Sequence, residues 1–370
     1  MNPLIAVTGT VALGWAAYSV PRNIRRARVQ RSTVAADAPL TIKPAEYGLV
    51  PASELNTVYA APDPEADDVV AAALAGDWST AAGYLAAAGS DWDLRWYRLG
   101  QLAHAAAEDD TWLRAWRAEY PYDPAAALVQ ADALVVLAGN IRGAKRAKYT
   151  TADQFEGFRR TLAEALPACR EAARMAPHDP SPWVAQITIA VGLGWSHEEF
   201  TALWAEIAAR APHHFGAHIA ALQYWCAKWS GSRELMFAFA ERAAASAPYG
   251  SLLPVLRLYA MAEQQINGDD FDFYAQPSAA AAVDATLGAV AQVPVGHHRL
   301  PLVRHLLAYY LVRSQRYAEA VEQFRAVDGY CGAVPWQYFG APAESYVSRR
   351  AEAFARWDQA GRPAAPARHA

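Results

Sequence analysis

The sequence predicts an all-α fold built from stacked helical hairpins. From Glu65 onward it is a succession of Ala-rich helical patterns, with no run that alternates apolar and polar residues as a strand would. Prolines interrupt these patterns at a regular interval, since Pro177, Pro212 and Pro248 lie 35 and 36 residues apart. The chain also holds 13 Trp and 18 Tyr, whose rings fill gaps between helices where Ala lets the backbones approach.

The first 31 residues form a distinct apolar segment. No charged side chain occurs from Met1 to Pro21, and five arginines follow at once: Arg22, Arg25, Arg26, Arg28 and Arg31. This asymmetry predicts an N-terminal helix that crosses a membrane once through residues 3–20 and leaves the rest of the chain on the cytoplasmic side. The alternative is a helix that packs on the array of a cytoplasmic protein.

The next segment, residues 32–64, is rich in proline, with Pro39, Pro44, Pro51, Pro62 and Pro64. Proline at this density prevents a helix and favours an extended, semi-rigid path. We therefore interpret these residues as a linker to the helical array.

The array itself is predicted over residues 65–342. Ser196 and Glu199 fit a capping box at a helix start, as do Thr151 and Gln154, and Ser232 is a third predicted N-cap. A C-terminal helix over 343–360 and a disordered tail over 361–370 complete the chain.

Two resemblances support the array. Over residues 301–332, the positions of Leu307-Ala308, Tyr317, Ala320 and Phe324 resemble the tetratricopeptide repeat, which implies an α-solenoid of helical hairpins with a concave binding face.

Residues 130–266 are similar to uncharacterised bacterial helical repeat proteins that carry a basic Gly-containing segment and a Lys-Trp-x-Gly-Ser turn. The turn stands here at 228–232 and the basic segment at 139–146. This likeness implies no known activity.

Composition argues against several classes of function. The net charge of -4 and the pI near 6.2 do not favour nucleic acid as a partner. The three cysteines are widely spaced and form neither a disulfide framework nor a metal motif. No nucleotide-binding, hydrolase or zinc-protease signature occurs, so we assign no catalytic residue, no metal and no cofactor.

The candidate binding residues follow from the repeat register. The first helix of each hairpin lines the concave face of such a solenoid, which selects His218 and Trp225 in one unit, with Lys228 in the turn beside them. The same repeat register, applied near the C-terminus, selects three further residues: His305, Tyr309 and Arg313. The alternative is that these aromatic side chains belong to the core.

A second set of candidates is basic or metal-binding in character. Arg142, Lys145 and Arg146 form a positive segment suited to a phosphate, an acidic peptide or an anionic head group, unless they only solubilise a loop. His213, His214 and His218 lie close in sequence, and the last two stand one helical turn apart, as metal ligands would.

Two functions therefore compete. The first is a membrane-tethered, non-enzymatic scaffold or adaptor that binds a protein or peptide through its concave face. The second is a soluble ligand- or metal-binding protein, or an enzyme, that uses the histidine cluster or the basic 142–148 segment.

Overall fold

Helices account for most of the secondary structure in the computed structural model, which describes residues 40–143, 150–265, 274, 276–339 and 341–366. Within these residues there are fifteen α-helices and no β-strand, so the all-α fold class is confirmed. The predicted N-terminal helix and membrane span lie outside the described residues.

The described chain divides into two compact units where the sequence predicts one array. Unit 1 covers residues 63–246. Its ten helices are α1 (Pro64–Leu74), α2 (Trp78–Ala86), α3 (Trp92–Glu108), α4 (Thr111–Glu119), α5 (Pro124–Arg142), α6 (Ala152–Met175), α7 (Ser181–Leu193), α8 (His197–Arg210), α9 (Phe215–Tyr224) and α10 (Arg233–Ala245).

Helix α5 lies at the centre of unit 1, where it packs on α3, α4, α6 and α7. Alanine and valine dominate its buried positions, so the neighbouring helices can approach closely. Helix α9 in turn packs on α3, α7 and α10. Most consecutive helices of unit 1 also contact each other.

Helix α5 is also the one described helix long and apolar enough to cross a membrane. It has 19 residues, and 61% of its most apolar window is buried inside the protein.

The predicted helix starts in unit 1 are confirmed. Thr151 and Gln154 form a capping box at the start of α6, and Ser196 and Glu199 form another at α8. The Ser232 hydroxyl accepts a hydrogen bond from the backbone N–H of Leu235 at the start of α10. These caps satisfy backbone donors that would otherwise lack a partner at the helix ends.

Unit 2 combines residues 247–366 with the earlier segment 40–62. Its helices are α11 (Leu256–Gln265), α12 (Pro277–Gln292), α13 (Leu300–Arg313), α14 (Tyr317–Ala326) and α15 (Pro342–Gln359). Helix α13 packs on α12, α14 and α15. Ala308, the predicted small residue at a helix crossing, is fully buried on α13.

The described part of the predicted linker is packed into unit 2. Asn56 N–H donates to the Gly329 carbonyl at 2.8 Å, Cys331 N–H donates to the Asn56 carbonyl at 2.8 Å, and Gly332 N–H donates to the Tyr59 carbonyl at 2.9 Å. A Cβ on Gly332 would lie only 2.2 Å from the Val58 carbonyl carbon. Residues 40–62 therefore belong to the fold of unit 2, because the backbone groups of Asn56 and Tyr59 are hydrogen-bonded to residues 329–332.

The C-terminal helix ends close to its predicted limit, at Gln359. Of the predicted tail, residues 361–366 are described, and the Pro363 carbonyl accepts a hydrogen bond from Trp357 Nε1 at 2.8 Å. The rest of the tail lies outside the described residues.

Candidate functional site

A cleft of about 740 Å³ lies in unit 1 between α8, α9 and α10. Ten residues line it, and among them are Thr201, Trp204, His218, Trp225, Phe239 and Arg242. We refer to it as the His218 cleft. Its volume is in the range of pockets that bind small molecules or peptide side chains.

Three rings form the apolar corner of the His218 cleft. Trp204 lies edge-on to His218, with ring centroids 4.9 Å apart and an interplanar angle of 88°. Phe239 completes the corner at 5.3 Å from Trp204 and 5.7 Å from His218. The two contacts of Trp204 are edge-to-face, a geometry that aromatic rings prefer, so the corner is already packed in this structure.

The His218 side chain is neutral and oriented by its own helix. Its Nδ1 lies 2.8 Å from the His214 carbonyl oxygen. Since a carbonyl oxygen only accepts, Nδ1 carries the proton and Nε2 is the acceptor of the ring. Burial lowers the pKa of His218 to about 4, so the imidazole offers an uncharged hydrogen-bond acceptor at neutral pH.

Trp225 is placed by the turn that follows α9. His197 Nε2 donates to the Ser230 carbonyl at 2.7 Å, and its ring lies 5.1 Å from that of Trp225. Gly231 closes the turn, with its N–H donating to the Cys226 carbonyl at 3.2 Å. A Cβ on Gly231 would lie 1.9 Å from the Trp225 carbonyl oxygen, so only glycine fits there.

Substitution of Gly231 by Ala is therefore expected to distort the turn and displace Trp225. Overpacking of this kind typically costs about 1–3 kcal/mol of unfolding free energy. Gly83→Ala is the matched control, because a Cβ at exposed Gly83 in α2 meets no atom within 4 Å, and alanine there is expected to stabilise the helix by about 0.5–1 kcal/mol. Urea unfolding of the two variants measures the difference. Equal stability of both would contradict the close contact at Gly231.

Arg242 supplies positive charge at the His218 cleft. The side chain is exposed, and it forms no ion pair with any residue that the structure describes. Its guanidinium group therefore remains available to an anionic group of a bound partner.

The histidine cluster of the sequence does not assemble as a metal site. His214 Nδ1 lies 3.1 Å from the Ala217 N–H, from which it accepts, and 3.1 Å from Asp93 Oδ1. Asp93 also accepts hydrogen bonds from Phe215 N and Gly216 N, so these groups cap the start of α9. Across the described ranges, no group of three or more His, Cys, Asp or Glu side chains is arranged to hold a metal ion.

The other predicted binding residues lie elsewhere. His305 is fully buried in unit 2, where Nε2 donates to the Ala60 carbonyl at 2.9 Å and Nδ1 accepts from Trp336 Nε1 at 3.0 Å. His305 is therefore a structural residue, because its hydrogen bond to Ala60 connects segment 40–62 to α13. Tyr309 and Arg313 are half-buried around Tyr274: the two tyrosine hydroxyls lie 3.0 Å apart, and Arg313 lies 4.5 Å over the Tyr274 ring.

The basic residues are only partly described. Arg142 is 2% exposed at the end of α5, which differs from a solvated loop position. Lys145 and Arg146 lie outside the described residues. Lys228 is half-buried in the turn after α9 and is not among the residues of the His218 cleft.

Known proteins give no guide to the function of this site. No family model, curated protein or solved structure matches the chain.

Sequence reasoning found two of the ten residues that line the cleft, His218 and Trp225, because helical spacing places both on one side of the predicted helix. It missed the others as site residues, among them Thr201, Trp204, Phe239 and Arg242. These come from α8 and α10, and their approach to α9 depends on how three helices pack. The only sequence signal for them is aromatic character at the predicted inter-helix positions.

Proposed function

We propose that this protein is a non-enzymatic scaffold or adaptor, and that the His218 cleft binds a peptide segment of a partner protein. One observation carries the proposal: a packed aromatic corner lies in the same cleft as Arg242, which has no ion pair with any described residue. An apolar pocket beside an unpaired cation suits an apolar side chain followed by a carboxylate.

The cleft offers three complementary interactions to such a peptide. The corner of Trp204, His218 and Phe239 accommodates an aromatic or branched side chain, since apolar burial there contributes about 25 cal/mol for each Å² removed from water. His218 Nε2 accepts a backbone N–H of the peptide. Arg242 pairs with an Asp or Glu side chain or with a terminal carboxylate.

The same chemistry favours binding over catalysis. A general base works best with a pKa near the operating pH, whereas burial lowers the pKa of His218 to about 4. Its proton-bearing Nδ1 is also occupied by the His214 carbonyl. The ring is thus suited to accept a hydrogen bond and poorly suited to remove a proton.

Two further parts of the proposal rest on the sequence. We infer that the contacting helix pairs continue as a tetratricopeptide-like α-solenoid, in which α9 belongs to the concave face. We also infer that residues 3–20 tether the protein to the cytoplasmic side of a membrane, because an uncharged segment precedes five arginines. Under both inferences the cleft is open to a cytoplasmic partner.

A displayed library of random dodecapeptides tests the cleft. Selection on the full-length protein is expected to enrich peptides that combine an aromatic or branched residue with Asp or Glu. Binding of the enriched peptide, measured by fluorescence anisotropy, is expected to weaken at least about tenfold, or about 1.4 kcal/mol, in Trp204→Ala and in Arg242→Ala.

Arg233→Ala is the matched control, because Arg233 is exposed on the same helix and is not among the cleft residues. It is expected to bind the peptide as the wild type does. Enrichment of basic peptides, or equal losses in Arg233→Ala and Arg242→Ala, would rule out the assigned cleft.

A further inference from the structure

Arg142 is a buried cation at the last position of α5. Its side chain is 2% exposed, and Nη1 donates to the Gly143 carbonyl at 3.0 Å. Its Nε and Nη2 atoms are buried and have no hydrogen-bond partner among the described residues. A single carbonyl therefore accounts for only one of the five N–H donors of this guanidinium.

A buried charge without a counter-charge is costly in a protein interior. Burial lowers the pKa of Arg142 to about 10, which still leaves the group protonated at neutral pH. The segment 144–149 that follows contains three basic residues and no Asp or Glu, and the first acid after it is Asp153 in the first turn of α6. An external anion would provide the missing charge.

The two unpartnered nitrogens have the geometry that binds oxyanions. Nε–H and the neighbouring Nη2–H point from one edge of the planar guanidinium, and from this edge they can donate to two oxygens of one carboxylate or phosphate at once. The guanidinium carbon lies 5.7 Å from the ring centroid of Phe155, in the first turn of α6.

The start of α6 adds a second favourable feature. Gln154 Nε2 donates to the Ile141 carbonyl at 3.4 Å, so the end of α5 and the first turn of α6 are in contact. The capping box of Thr151 and Gln154 occupies two of the four backbone N–H groups at this helix end. A helix of 24 residues also carries partial positive charge at its start, where phosphate groups bind in many proteins.

We propose that Arg142 and the first turn of α6 form an oxyanion site that binds a phosphate group. A phosphate suits the site better than a carboxylate because it brings up to two negative charges to a guanidinium beside a helix start. This site is separate in sequence and chemistry from the His218 cleft, and it stands whether or not the cleft binds a peptide.

Inorganic phosphate is the probe. The thermal midpoint of the full-length protein is expected to rise with phosphate beyond the rise in sodium chloride of equal ionic strength, and calorimetry is expected to show saturable binding. Arg142→Met is expected to weaken phosphate binding at least tenfold and to remain folded, since it replaces a buried charge with an apolar side chain of similar length. Arg160→Met, exposed on α6, is the matched control and is expected to bind as the wild type does.

Three outcomes would overturn the proposal. One is a midpoint that responds to phosphate only as it does to chloride. Another is an equal loss of phosphate binding in Arg160→Met and Arg142→Met. The last is a rise of the thermal midpoint in acetate as large as the rise in phosphate, which would show that the site binds carboxylates. If Arg142→Met does not fold, Arg142→Lys keeps the charge without the two-donor edge and is expected to show the same loss of phosphate affinity.

Discussion

Asp132→Asn is expected to stabilise unit 1 by on the order of 4 kcal/mol above pH 7 and to have little effect near pH 4. Asp132 lies in the middle of the central helix α5, is 1% exposed, and has an Oδ2 atom without a hydrogen-bond partner among the described residues. Burial raises the pKa of its carboxyl group to about 7. Each pKa unit corresponds to about 1.4 kcal/mol between the two protonation states.

The sign of the pH dependence follows from this raised pKa. Below the unfolded value of 3.8 the carboxyl group is protonated in both states and has no effect on stability. Between 3.8 and about 7 the folded protein retains a proton that the unfolded chain releases, so stability falls as pH rises. Above pH 7 the full cost of a buried carboxylate is present.

Urea unfolding of the full-length protein at pH 4, 6 and 8 measures this dependence. Asn has nearly the same shape as Asp but cannot ionise, so Asp132→Asn is expected to lose that part of the pH slope. Asp68→Asn is the matched control, since Asp68 is exposed on α1, and its stability is expected to stay within about 0.5 kcal/mol of the wild type. Parallel pH profiles for Asp132→Asn and the wild type would contradict a buried carboxylate.

Trp336→Ala is expected to destabilise unit 2 by about 3–5 kcal/mol. The indole is fully buried, and it packs edge-on to Tyr346 at 5.3 Å and to Tyr309 at 5.8 Å between ring centroids. Its Nε1 donates to His305 Nδ1, and His305 in turn holds the Ala60 carbonyl. Truncation therefore leaves both a cavity and a buried histidine acceptor without its donor.

Two comparisons separate these contributions. Trp336→Phe keeps most of the apolar area but removes the N–H, and the unsatisfied histidine is expected to cost about 1–3 kcal/mol. Phe339→Ala truncates an aromatic side chain that is 36% exposed, and its effect is expected to be smaller. Thermal unfolding followed by circular dichroism ranks the three variants. A loss in Phe339→Ala equal to that in Trp336→Ala would show that Trp336 does not anchor unit 2.

Local features of the fold were readable from the sequence. Thr151, Ser196 and Ser232 cap helices because a hydroxyl near a helix start bonds to backbone groups only two or three residues away. Helical spacing likewise placed His218 and Trp225 on one face of the predicted helix, and both residues line the cleft.

Features that depend on distant contacts were not readable. The proline content of residues 32–64 predicted an extended linker without helix, whereas the described part contains two short 3-10 helices, Pro44–Tyr47 and Ala52–Glu54, and forms hydrogen bonds with residues 328–332. Val50 N–H, for example, donates to an Asp328 carboxylate oxygen 278 positions later in the chain. The burial of His305 has the same cause, since its partner Ala60 comes from that segment.

The assignment of residues 40–62 to unit 2 has a consequence for the synthesis of the protein. Among the described residues, the ribosome makes this segment first, then unit 1, and only then the remaining residues of unit 2. The described part of unit 1 is one continuous stretch and is complete as soon as residue 246 has emerged. Segment 40–62, by contrast, must wait for residues 329–332 before its backbone groups find their partners. Unit 2 therefore folds after translation is nearly finished, and any chain truncated before residue 329 carries segment 40–62 without its binding site.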